Sequence, residues 1–301
     1  MIFELSRDNL TLAQQEVLSL AKPKTWKLYD NLLICKANFD YSRLAYTNLV
    51  LEEIFIDTKI PKINWQKYYQ ENFCIRSNIT AKEKELAPII WYAVKNPKVN
   101  MNAKAEFWFY YIEDHIICGK KLYQRQEKFQ KRRPDLRPGF FPISLKPKLA
   151  RAIVNLSEVK KGTIWDPFCG TGGILLEASL MGLKAIGTDI DPMMIRAAKQ
   201  NFQHYECKAK VSIADARTEK VKCKAIICDP PYGRRASTKK EDVETLYKEF
   251  LEHVYPFVDT VVLMAPNTIK IQTKYHLLWE TEEFVHGSLT RRIMILKKAN
   301  K

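Results

Sequence analysis

The 301-residue sequence predicts an α/β fold, a parallel sheet covered by helices and closed by an antiparallel hairpin, preceded by a smaller α+β module. Residues 162–266 repeat a strand-turn-helix rhythm, the signature of parallel strands joined by crossover helices. Residues 280–298 abandon it for a strand, a His-Gly-Ser turn and a second strand, which reads as a hairpin. Residues 1–125 follow neither pattern and alternate short strands with helices.

In chain order, "LLICKAN" (32–38) and "FCIRSNI" (73–79) read as strands, and "ELAPIIWYAVK" (85–95) as a helix. Thr80 and Glu83 just ahead of that helix have capping-box spacing. "AEFWFYYIEDHIICGKKLY" (105–123) alternates as a hairpin turning at Glu113-Asp114. "RQEKFQKRRPDLRPGFFP" (125–142), with three prolines and few aliphatics, is expected to be an exposed interdomain connection. Beyond it, "GTIWDPF" (162–168), "KAIGTDI" (184–190), "AKVSIADA" (209–216), "KAIICDP" (224–230) and "DTVVLMAP" (259–266) are five successive strands. Helices fall between them. One carries Ile195, Ala198, Phe202 and Tyr205 on a single face, and another Val243, Leu246, Tyr247, Phe250, Leu251, Val254 and Phe257.

The formal charge of +15 argues for a polyanionic partner. Residues 119–151 hold eleven Lys/Arg against two acids, net +9, interleaved with Tyr123, Phe129, Phe140 and Phe141. Cations at this density suit phosphate neutralisation, so Lys128, Lys131, Arg132, Arg133 and Arg137 are expected to contact nucleic acid. Seven scattered cysteines without a C-x-x-C pair, and histidines away from them, point to reduced thiols and no metal site. No apolar run reaches membrane length, and the start "MIFELSRDNL" lacks a signal-peptide pattern, so a cytoplasmic protein without membrane association is expected.

The chemistry collects at strand ends, where doubly wound sheets bind ligands. Asp166 ends the first strand and opens "DPFCGTGG", in which Cys169, Gly170, Thr171, Gly172 and Gly173 form a turn that lets backbone approach a ligand closely. The turn lacks the G-K-[ST] of a phosphate loop, and its carboxylate would repel phosphate. A cationic, hydroxyl-bearing ligand suits it, which points to S-adenosylmethionine. Asp189, with Ile190 beside it, is placed for ribose hydroxyls, while Asp191 suits a helix N-cap. Asp215 is placed to accept from an adenine amine, and the Ala216 N–H to meet a ring nitrogen.

Asp229, Pro230, Pro231 and Tyr232 then end the fourth strand. An exocyclic base amine is a poor nucleophile because its lone pair is delocalised into the ring. The Asp229 carboxylate and the Pro230 carbonyl are two acceptors for its two N–H bonds, neither proline offers a competing donor, and Tyr232 offers a flat stacking face. Four successive strands ending in an acid are hard to obtain by accident.

In this order and spacing, "DPFCGTGG", "GTDID", "ADA" and "DPPYG" resemble the Rossmann-like class I amino-methyltransferases that modify nucleobases. "RPGFFPISLKPKLARAIVNLS" (137–157) is similar to the segment before the catalytic domain in archaeal tRNA guanine-N2 methyltransferases acting at tRNA position ten. The resemblance implies S-adenosylmethionine as cofactor, tRNA as substrate, and one or two methyl groups on a guanine 2-amino group. It places the catalytic tetrad on Asp229, Pro230, Pro231 and Tyr232, and adds Phe141 and Ser144 as cofactor contacts. It also implies a ferredoxin-like piece at 1–55, a THUMP RNA-binding domain at 56–125, a basic linker at 126–140 and the methyltransferase domain at 141–301. Arg234 and Arg235, after the tetrad, are expected to grip RNA. Some relatives use a small zinc-binding activator subunit on the edge of the third strand, here "KAKVSIADA".

Other readings stay open: a THUMP enzyme acting on another tRNA guanosine, a DNA adenine amino-methyltransferase, a protein-glutamine methyltransferase, and an RNA-binding protein with a vestigial catalytic fold.

Overall fold

The computed structural model describes residues 1–142, 144–232, 240–287 and 289–299. Two compact units divide the chain: Met1–Gln14, Ala21–Ser42 and Tyr46–Gln126 in one, Gln15–Leu20, Arg43–Ala45 and Glu127–Lys301 in the other.

The first unit is built on one seven-stranded sheet. Its strands are β1 (Ile2–Leu5), β2 (Trp26–Tyr29), β3 (Leu32–Cys35), β4 (Thr47–Asp57), β5 (Phe73–Ser77), β6 (Ala105–Ile112) and β7 (His115–Gln124), with α1 (Leu10–Ala21) after β1 and α2 (Lys82–Trp91) after β5. The order is β2-β3-β1-β4-β7-β6-β5, antiparallel except for β5 beside β6. The period-2 alternation of β6 divides its residues between two cores: Ala105, Phe107 and Phe109 join Phe73, Leu86 and Ile90, while Tyr110 joins Ile2, Leu49 and Ile117.

The hairpin expected at Glu113-Asp114 forms there, pairing Ile112 with His115. The boundary expected after residue 55 falls inside β4, which pairs with β1 on one side and β7 on the other. The capping box does not form. Ala81 is the N-cap of α2 without a side-chain cap bond, and the Glu83 carboxylate accepts from the Ser77 N–H (3.0 Å). The helix starts too late for the box, so the carboxylate reaches back to the strand end.

In the second unit α3 (Pro147–Leu156) leads to β8 (Thr163–Asp166), α4 (Gly173–Leu180), β9 (Lys184–Asp189), α5 (Pro192–His204), β10 (Lys210–Ile213), β11 (Ala225–Cys228), α6 (Lys240–Val254), β12 (Thr260–Pro266), β13 (His276–His286) and β14 (Leu289–Lys297). The order is β10-β9-β8-β11-β12-β14-β13, parallel from β10 through β12, with the expected antiparallel hairpin inserting β14 between β12 and β13. Strand order reverses at β8, which lies between β9 and β11. The carboxyl ends of these strands therefore frame the crevice where such sheets take ligands.

Most of each predicted helix face is buried, while Tyr205, Leu246 and Phe257 are half-buried. Ile195, Ala198 and Phe202 are buried on α5, and Val243, Tyr247, Phe250, Leu251 and Val254 on α6, which packs on Trp165, Ile226 and Val261 of the sheet. Asp191 caps α5 by accepting from the Met193 N–H (2.8 Å), with Pro192 at the first helical position. Among the described residues no helix is long and apolar enough to cross a membrane.

The segment expected to be an exposed connection exposes Lys128, Lys131, Arg133 and Phe140 among others, and buries Phe129, Arg137 and Gly139. Two short 3-10 turns, Phe129–Arg132 and Pro134–Leu136, bury Phe129 under the guanidinium groups of Arg132 and Arg151. Arg132 and Arg151 in turn both bind the fully buried Glu177 (2.8 and 3.0 Å) and pair with Glu127 (2.6 and 3.3 Å), whose carboxyl they hold below its usual range against the cost of burial.

Candidate active site

The four acids singled out in the sequence stand at the ends of four neighbouring strands in the sheet. Asp166 is the last residue of β8, Asp189 the last of β9, Asp215 follows β10 and Asp229 follows β11. Their environments differ, and burial and neighbours shift their carboxyl groups in different directions.

Asp166 is buried, accepting from the Phe168 N–H (3.1 Å). Burial pushes its carboxyl well above the usual range, and the nearby charges of Asp189 and Asp229 push the same way. Asp189 accepts from the Gly170 N–H (2.8 Å) and the Asp191 N–H (2.9 Å), which offset part of the upward push of burial. Ile190 beside it is exposed. Asp215 is engaged by its neighbour: the Arg217 guanidinium donates to both carboxylate oxygens (2.7 to 3.2 Å), holds the carboxyl below its ordinary value, and also bonds Glu249 (3.2 Å). Residue order alone does not mark Arg217 as that partner. Ala216 is buried.

The glycine-rich turn divides its labour. Gly170 has φ +49° and open space where a Cβ would stand. Gly172 (φ +82°) and Gly173 face protein instead, a Cβ at 172 falling 2.5 Å from the Phe202 ring and at 173 3.0 Å from Arg137. Cys169 is buried, and burial raises its thiol far above the ordinary range. The lead-in segment docks on this turn. The Ser144 and Thr171 hydroxyls are 3.0 Å apart, and the Asn201 side chain ties Gly139 (2.8 Å) and the Thr171 carbonyl (2.9 Å) to α5. Asn201 is buried on the face predicted to be apolar, and nothing in the pattern marks it as a clamp.

At the end of β11 the Tyr232 hydroxyl donates to Asp229 Oδ1, while Oδ2 stands 3.9 Å from the Arg291 guanidinium on β14. Burial raises the Asp229 carboxyl, with Arg291 and then the Tyr232 bond pulling it back. Pro230 is buried and its carbonyl accepts from the Tyr247 hydroxyl of α6 (3.4 Å), while Pro231 is exposed. One face of Tyr232, expected to serve a base, carries the Arg291 guanidinium 5.5 Å from the ring centroid. Tyr247 and Arg291 were not anticipated as site residues. The signal for Arg291 is phase, since it shares the buried side of β14 with Leu289 and Ile293.

Of the basic residues expected on RNA, Lys128, Lys131 and Arg133 are exposed. Arg137 is 3% exposed and Arg132 is committed to Glu127 and Glu177, so the packing of 127–140 against α3 and α4 withdraws both from a nucleic-acid surface. Arg234 and Arg235 lie outside the described residues.

A family model described as RMKL-like, methyltransferase domain, matches residues 134–292, and one described as DNA methylase matches residues 2–200. A tRNA (guanine(10)-N2)-dimethyltransferase of Methanothermobacter thermautotrophicus is 35% identical over 284 residues, covering 85% of this chain and 84% of that protein. A protein of the same description from Methanocaldococcus jannaschii is 36% identical, covering 77% and 69%. Among solved structures, TrmN from Thermus thermophilus aligns over 99% of both chains with a TM-score of 0.52 at 18% identity, a likeness of fold.

Proposed function

The chain belongs to the tRNA (guanine(10)-N2)-dimethyltransferase family, and we propose that it transfers methyl groups from S-adenosylmethionine to the exocyclic 2-amino group of the guanosine at position ten of tRNA. The observation that carries the reading is the pair of acceptors at the end of β11, the Asp229 carboxylate and the Pro230 carbonyl, beside three further acids at neighbouring strand ends.

The residues present suit the cofactor. Gly170 leaves room for a ligand against the backbone, Asp189 keeps acceptor capacity beyond its two N–H bonds, and exposed Ile190 offers an apolar face. In this reading Asp189 holds the ribose, Asp215 and Ala216 the adenine, and Asp166 with residues 169–173, Phe141 and Ser144 the remainder. Asp215 must share its carboxylate with Arg217 to do so. When bound, S-adenosylmethionine supplies a methyl group on a positively charged sulfur.

The chain's own part is alignment. Asp229 and the Pro230 carbonyl each accept one amine N–H, which localises the nitrogen lone pair and directs it out of the ring plane. Tyr247 steadies the carbonyl and Tyr232 the carboxylate. Holding these groups in place before reaction avoids reorganisation during it. A negative Asp229 also favours the positive charge that the nitrogen gains on methylation.

In this reading residues 1–55 are the ferredoxin-like piece and residues 56–125 the THUMP domain that binds tRNA, with Lys128, Lys131, Arg133 and, after the tetrad, Arg234 and Arg235 adding phosphate contacts. The reading extends to a cytoplasmic location and to a small zinc-binding activator subunit paired along β10, the outer strand of its sheet, where Ile213 is exposed.

The DNA-methylase match motivates a second reading, transfer to an adenine amine in DNA, whose target needs the same acceptor pair. One experiment separates them. The protein is incubated with methyl-labelled S-adenosylmethionine and either unmodified tRNA transcript or duplex DNA, and the nucleic acid is digested and its nucleosides identified by mass. Label in N2-methylated guanosine at position ten is expected; label only in adenine, or none, refutes the proposal.

A further inference from the structure

We propose that Arg291 is the positioning residue of the transfer turn, its guanidinium holding the Asp229 carboxylate and the Tyr232 ring in one arrangement. The inference rests on the reading of 229–232 as the amine-binding turn.

Arg291 lies on β14, paired in register with Pro266 of β12 and Glu283 of β13, and is 9% exposed. Three of its features converge. A terminal nitrogen stands 3.9 Å from Asp229 Oδ2, the guanidinium carbon lies over the Tyr232 ring 5.5 Å from its centroid, and the buried Nε has no hydrogen-bond partner among the described residues. The same tyrosine donates its hydroxyl to the other oxygen of the same carboxylate. Arginine, carboxylate and phenol thus each approach the other two.

Stability alone gives little reason for this arrangement. A buried cation with one donor unsatisfied costs more than an apolar side chain of similar volume would. A guanidinium is suited to the geometry because it pairs at its edge and stacks on its face at once, which an ammonium cannot do.

Position and charge are linked here. Among the described residues the titratable groups near Asp229 are Tyr232 in the turn, Tyr247 on α6, Cys228 on β11, Asp166 on β8 and Arg291 on β14. Among the described residues Arg291 is the one cation of these, and it opposes the burial that raises the Asp229 carboxyl.

The test uses the full chain with Arg291→Gln and Arg291→Lys. Carboxyl-13C aspartate labelling, with Asp229 assigned by its Asn variant, gives the titration midpoint by NMR, and methyl transfer to tRNA gives kcat against pH. Arg291→Gln is expected to raise the midpoint by roughly one to three pH units and to move the acidic limb of kcat by the same amount. At pH 7 kcat should fall about tenfold to a hundredfold, with S-adenosylmethionine affinity unchanged. Arg291→Lys should keep the midpoint near that of the wild type yet lose kcat, because a compact ammonium does not reach the carboxylate and cover the ring together. An unmoved midpoint in the Gln variant, a kcat loss there without movement of the limb, or wild-type kcat in the Lys variant would overturn the proposal. Should the wild-type protein transfer no methyl group to tRNA, the functional reading fails, while the NMR midpoint still decides whether Arg291 governs Asp229.

Discussion

Replacing Asp229 by Asn keeps the shape of the side chain and removes its charge. Two opposing terms set the effect on stability. At 3.9 Å, with an effective dielectric of about 20, the attraction to Arg291 is about 4 kcal/mol. Against it stands the burial that raises the carboxyl above its ordinary value despite Arg291 and Tyr232. A folded-state pKa above the unfolded one means that stability is greatest below the unfolded value and is lost as pH rises through the folded one. The wild type suffers that loss and the Asn variant does not, so at pH 8 the variant should be no less stable in urea.

Activity should behave differently. The amide retains an acceptor but offers a competing donor and no negative charge, and losing one preorganised group of this kind costs a factor of about 10² to 10³ in rate, about 2.7–4 kcal/mol. Single-turnover transfer to tRNA reads the chemical step, and calorimetry reads cofactor affinity, which should stay within a few-fold. Turnover within about tenfold of wild type would refute the assigned role, since transition-state alignment would then not run through this carboxylate.

Asp166→Asn should flatten the pH dependence of stability: the wild type, with its carboxyl raised by burial, loses stability as pH rises above the ordinary carboxylate range, and a variant with the same slope in urea titrations from pH 4 to 8 would contradict this. Glu177→Gln strips the buried partner from Arg132 and Arg151 and should cost about 3–5 kcal/mol by chemical denaturation; a loss under about 1 kcal/mol would show the network to be dispensable. Gly172→Ala drives a Cβ into the Phe202 ring from a left-handed backbone and should destabilise by about 1–3 kcal/mol, read as a lowered Tm. Replacing Lys128, Lys131 and Arg133 singly by Ala should each lower the salt slope of tRNA binding by about one, whereas Arg137→Ala should leave the slope unchanged and lower stability.

Much of the catalytic half was legible along the chain because its signals are local. A run such as "KAIICDPPY" carries its own strand, its own terminator and its own carboxylate, and the period of a strand or helix determines which side chains face inward. For that reason the five parallel strands, the terminal hairpin, the faces of α5 and α6, the Asp191 cap and the four strand-end acids follow from residue order. The first half was harder. β4 joins, along its two edges, β1 and β7 into a single sheet across the boundary expected after residue 55. Pairing of that kind has no local mark.

What tertiary structure alone decided is which charges are used internally. Lys128, Lys131, Arg132, Arg133 and Arg137 form one basic run in the sequence, yet packing sorts them, exposing the lysines and Arg133 while assigning Arg132 to Glu177 and burying Arg137. Asn201 reaches Gly139 from 62 residues away, and Arg291 reaches Asp229 from another strand. Residue types and their spacing determine where a polar group enters the fold. Whether it meets solvent, a ligand or a buried partner depends on desolvation and on groups distant in the chain, and these are settled only when the strands have paired.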